Sequence, residues 1–142
     1  MFLLSRLHAF LDSMTGDDRP EVVATAALLV LVARSDGVLK EREEEEIRAL
    51  LRTRFDLSDG TAAAVLDAAE DSGAEVADLV EEIAHGLDAD GRRALLAMAY
   101  RIASSDGAVQ EFEEDFIWRI GHLLGLTDRE IEAARQNALV AG

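Results

Sequence analysis

Two segments of this chain, 70 residues apart, align without a gap. Ala33 to Glu44 matches Ala103 to Glu114, with Ser35-Asp36-Gly37 over Ser105-Asp106-Gly107 and Glu41, Glu43 and Glu44 over Glu111, Glu113 and Glu114. The apolar frame agrees on both sides, pairing Leu28 with Met98, Val32 with Ile102, Ile47 with Ile117 and Leu50 with Ile120. After a one-residue shift, Leu57-Ser58-Asp59 stands over Leu126-Thr127-Asp128. A pattern repeated at this length reads as a duplicated supersecondary unit, here a helical hairpin whose two copies share a core.

The local signals are helical throughout. Residues 21–35 are apolar nearly all round, the mark of a central core helix. Asp36-Gly37 ends that helix, because glycine enters the left-handed conformation without penalty. The next helix, about 41–54, begins with a run of glutamates and ends with Arg48, Arg52 and Arg54, which matches its charges to the helix dipole. Further helices are expected near 59–71, 75–86, 89–104 and 110–124. Ser58 or Asp59, Gly86, and Asp88 or Asp90 mark their ends. Thr127-Asp128-Arg129-Glu130 has capping-box spacing for a last helix to about residue 140. The fold class is therefore all-α, with seven to eight helices and two pseudo-repeated hairpins, at about 22–71 and 89–140. With one proline and no cysteine, nothing in the composition argues against this.

The chain has the length of one domain. Residues 1–20 read as an amphipathic helix (Leu3, Leu7, Phe10, Met14) and a linker, and 21–142 as the main helical domain. The N-terminus lacks the basic and cleavage regions of a secretory leader. The longest apolar run, residues 22–33, is too short to span a bilayer. A cytoplasmic location is expected, without membrane insertion, and peripheral membrane contact through the N-terminal helix stays open. The formal net charge of -15 argues against nucleic acid, whose binding needs clustered cations. It favours cations or basic protein partners.

Within the glutamate-rich helices one position in each copy stands apart. Glu43 shares a face with Ile47 and Leu50, and Glu113 shares one with Ile117, Ile120 and Leu124. An acid on an apolar face needs a partner, since burying an unpaired charge is costly. Two readings follow. Glu43 and Glu113 accept hydrogen bonds from backbone N–H groups and cap the acidic helices. Alternatively, Asp36, Glu43, Asp106 and Glu113 ligate a hard divalent cation, Ca²⁺ or Mg²⁺. The spacing from Asp36 to Glu43 and from Asp106 to Glu113 matches the second half of an EF-hand loop. The first-half positions hold Val32 and Arg34, or Ile102 and Ser104, so two self-contained calcium loops are excluded. A bound ion would have to draw on both copies.

Catalytic patterns are incomplete. Glu82-x-x-His85 has the spacing of a di-iron half-site, but the second half and its inward glutamates are missing. There is no cysteine, no nucleophile elbow and no phosphate-binding glycine loop. Trp118 and Tyr100 lie in helical, largely apolar settings and read as core.

The duplicated Ala-x-Ser-Asp-Gly-x-(Leu/Val)-x-x-x-Glu signature, at Ala33–Glu43 and Ala103–Glu113, resembles the TerB-like tellurite resistance proteins. Leu87-Asp88-Ala89-Asp90-Gly91-Arg92-Arg93 is similar to that family's inter-repeat segment. The likeness covers about residues 21–140. It implies an all-helical fold of about seven helices, a stress-response or tellurite-resistance association, and a metal-binding surface at Asp36, Glu43, Asp106 and Glu113. It implies no known enzymatic activity. The expectation is thus a non-catalytic domain that binds a divalent cation and docks a protein partner. A carboxylate-metal enzyme built on the same acids, and a structural interaction module without ligand, are the alternatives.

Overall fold

The computed structural model describes residues 19–105 and 109–141, without the side chains of Asp36, Val140 and Ala141. The N-terminal amphipathic segment expected at 1–20 lies outside the described residues up to Asp18, and so does Asp106. Within them the chain forms seven α-helices and no strand: α1 (Pro20–Ala33), α2 (Glu41–Phe55), α3 (Asp59–Glu70), α4 (Val76–Gly86), α5 (Ala89–Ala103), α6 (Glu111–Leu123) and α7 (Asp128–Ala141). A short 3₁₀ turn, Arg34–Asp36, extends α1. The sequence placed every one of these helices to within two residues at each end.

α1 is the hub. Eleven of its residues are buried, and it packs against α2, α3, α4 and α5. A helix that is apolar on all sides has no solvent face to offer, so the others must surround it. Its one buried polar residue, Thr25, donates its hydroxyl to the Glu21 carbonyl at 2.7 Å and so leaves no unmet group. α5, the counterpart of α1 in the second segment, packs on α7, α1, α6 and α2. One core unites residues from all seven helices, from Val22 to Ala138.

The caps are those the residue types dictate. Ser58 Oγ accepts from the Thr61 N–H at 3.1 Å at the head of α3, and Asp88 Oδ1 accepts from the Gly91 N–H at 2.8 Å at the head of α5. At α7 the capping box is complete: Glu130 N–H donates to Thr127 Oγ1 at 3.1 Å, and Thr127 N–H to Glu130 Oε1 at 2.9 Å. Arg92 donates to the Leu87 and Ala84 carbonyls at 3.1 and 2.7 Å, satisfying the C-terminal end of α4.

Gly86 ends α4 for a reason the sequence did not reveal. It does not adopt a left-handed conformation. A Cβ there would sit 2.5 Å from the Glu21 Cβ, so the residue is small because α1 and α4 touch.

Candidate functional site

The serines and the buried glutamates of the two segments are bonded alike. In the first segment Ser35 Oγ donates to the Val32 carbonyl at 2.7 Å; in the second, Ser105 Oγ donates to the Ile102 carbonyl at 2.9 Å. Each serine thus adds a side-chain bond to a carbonyl in the last turn of the ending helix. Gly37 then turns the chain in the left-handed region, with φ at 106°, and its N–H donates to the Arg34 carbonyl at 2.8 Å. Four residues further on, at Glu41, the acidic helix begins.

Glu43 and Glu113 hold that beginning in place. They are the two buried charged residues among the described residues, at 2% and 5% exposure. Their neighbours in the same glutamate runs are exposed or half-buried. Glu43 Oε1 accepts from the Lys40 backbone N–H at 2.9 Å, and Glu113 Oε1 accepts from the Gln110 backbone N–H at 3.1 Å. These are the N-cap amides of α2 and α6, donors with no partner inside the helix. An ionised acceptor makes a stronger bond than a neutral one, which offsets the cost of burial. Capping is therefore present at both glutamates. It does not exhaust them, because an ionised carboxylate offers about four lone-pair sites.

The two turns are not independent. The 3₁₀ turn that carries Asp36 packs against α6, the helix that carries Glu113. The first Asp-Gly turn and the second acidic helix are thus neighbours. Of the four acids singled out in the sequence, Glu43 and Glu113 have described side chains, while Asp106 and the Asp36 side chain lie outside the described residues. Among the described residues no group of three or more His, Cys, Asp or Glu is placed to hold a metal ion.

A second feature borders the first turn, and sequence reasoning missed it. Arg34 Nη2 lies 3.8 Å from Glu70 Oε1, tying the 3₁₀ turn to the end of α3. Burial, a hydrogen bond to the Glu44 carboxyl and that neighbour's charge push Glu70 up to about 7, with Arg34 acting in the opposite direction. No one-dimensional signal pairs Glu44 with Glu70, because they meet only when α2 folds onto α3. His85, the half of the incomplete di-iron pattern, is exposed near the end of α4. Tyr100 is fully buried, as expected of a core residue. Trp118 packs against the core but is only half-buried: it meets His122 edge-on at 5.5 Å between ring centroids and lines an open depression on α6.

An all-helical domain packed on one apolar helix, with a buried glutamate at the head of each acidic helix, defines the class. The chain belongs to the tellurite resistance protein TerB family, whose model matches residues 22–136. Comparison with curated proteins and with solved structures found no match.

Two outcomes follow from this geometry. Glu43→Ala removes an acceptor that caps α2 and is expected to cost about 1–2 kcal/mol, whereas Glu43→Gln keeps an oxygen in place and costs less; thermal or denaturant unfolding measures both. The pH dependence of Glu70 has a definite sign. Its folded pKa is raised from 4.5 to about 7, so its contribution to stability is fully present below 4.5 and is lost as pH rises through 7. Glu70→Gln mimics the protonated carboxyl and should flatten the fall in Tm across that window; an unchanged slope would contradict the assignment.

Proposed function

We propose that this protein is a non-catalytic, cytoplasmic TerB-family domain of the stress or tellurite response, which binds a divalent cation at its paired Asp-Gly turns and docks a protein partner. The observation that carries this reading is the recurrence of one device at both turns: a buried glutamate bonded to the amide that heads the acidic helix. That device would hold the loops bearing Asp36 and Asp106 in fixed positions. Carboxylate oxygens from Asp36, Glu43, Asp106 and Glu113 suit Ca²⁺ or Mg²⁺. The packing of the first turn on α6 favours one shared site over two separate ones. A cation so placed would also offset part of the repulsion within a chain of net charge -15. No described helix is long and apolar enough to cross a membrane, which fits this location.

Thermal unfolding during Ca²⁺ or Mg²⁺ titration tests the proposal. A ligand at one hundred times its Kd stabilises the native state by about 2.7 kcal/mol, so Tm should rise and saturate in the millimolar range or below. The Glu43→Gln/Glu113→Gln double variant keeps cap oxygens but lacks two anionic ligands, and it should lose that rise. An unchanged Tm in the wild-type protein would leave a structural interaction module without ligand. A redox-active or hydrolytic metal co-purifying at stoichiometric level would instead favour a carboxylate-metal enzyme.

A further inference from the structure

The depression beside Trp118 is lined by Glu111, Phe112, Glu114, Asp115 and Trp118 and has a volume of about 640 Å³. Phe112 is 50% exposed at its edge. Acidic residues alone would make this an ordinary solvated helix face. The comparison between the two segments sets it apart. At the same 70-residue offset, the first segment has Glu41, Glu44 and Glu45 where the second has Glu111, Glu114 and Asp115. All three acids are retained. The first segment holds Arg42 and Arg48 at the places of Phe112 and Trp118. One copy therefore supplies its own cations to its acidic face, and the other supplies two aromatic rings.

We infer that this face of α6 is a docking surface for an arginine- or lysine-bearing segment of a protein partner. The inference rests on the partner-docking part of the proposed function and names its surface and chemistry. An aromatic face attracts a cation through its quadrupole, and neighbouring carboxylates add charge pairing. The acids are open to exchange. Asp115 pairs with Arg119 at 2.8 Å and Glu114 with Arg135 at 2.9 Å, both at exposed or half-exposed positions where such pairs hold weakly. Glu111 forms no ion pair among the described residues. A guanidinium set against these rings would restore to the acidic face a cation of the kind that Arg42 and Arg48 supply in the first copy. The excess of negative charge over the whole chain draws such a segment in.

Trp118 is the chain's single tryptophan, so its fluorescence reports on this surface alone. The full chain is titrated with the peptide Gly-Arg-Gly-Arg-Gly and with its neutral citrulline counterpart. The expected result is a saturable change in Trp118 emission with the arginine peptide and none with citrulline. Phe112→Leu, which keeps apolar bulk and removes the ring, should weaken binding about two- to fivefold. Phe112→Arg, which restores the first copy's residue, should abolish it. Circular dichroism checks that both variants fold, as a half-exposed position allows. Absence of a saturable response in the wild-type protein overturns the inference, as do equal affinities in wild type and both variants, which would mean unspecific attraction to an acidic protein. Self-association that Phe112→Arg abolishes would assign the face to a second copy and overturn it too. None of these outcomes depends on Glu43 or Glu113, so the cation site stands or falls separately.

Discussion

Everything at the two turns depends on one interaction, the hydrogen bond from an N-cap amide to a buried glutamate oxygen. A carboxylate at 2% or 5% exposure is costly to bury, and a helix N-terminus leaves amides without partners. Each problem solves the other. The Lys40 and Gln110 amides gain an anionic acceptor, and Glu43 and Glu113 gain donors at the positive end of a helix. That bond fixes the first turn of α2 and of α6. The loop between α1 and α2 is held at one end by Ser35 and at the other by Glu43.

The remainder of the fold follows from α1. Because it is apolar on every side, α2, α3, α4 and α5 pack around it, and helix contacts in the bundle are close enough to require glycine in two places. At Gly86 a Cβ would collide with Glu21 of α1; at Gly121 it would come within 2.7 Å of Ile131 and 3.1 Å of Leu96. These contacts set α4 against α1 and lock α6 between α5 and α7. A rigid frame of this kind is what a site assembled from two loops needs.

Much of this was legible in one dimension, for identifiable reasons. Helical caps are local, so Ser58, Asp88 and the Thr127–Glu130 box could be read from residue type and spacing alone. Glu43 and Glu113 could be picked from a run of glutamates because helical periodicity places them with Ile47 and Ile117, and burial depends on the face. What stayed hidden was whatever needs two distant segments to meet. The raised pKa of Glu70 arises from Glu44 across a helix pair, and Gly86 is small because of Glu21. Trp118 read as core from its apolar neighbours and does pack there, yet it also borders a depression beside three acids. The comparison of Phe112 and Trp118 with Arg42 and Arg48 was available in the sequence. It acquired meaning only once the structure showed Phe112 exposed and Trp118 half-buried along one depression.

The most direct measurement of the central bond is amide hydrogen exchange at Lys40 and Gln110. N-cap and first-turn amides have no partner inside their helix and ordinarily exchange fast. If the buried glutamates hold the turns, both amides are protected well above Glu41 and Glu111, which head the same helices. That protection at Lys40 then disappears in Glu43→Ala. Exchange of Lys40 and Gln110 at the rate of those neighbours would show that the carboxylates do not bond there, and the account of the turns would be wrong.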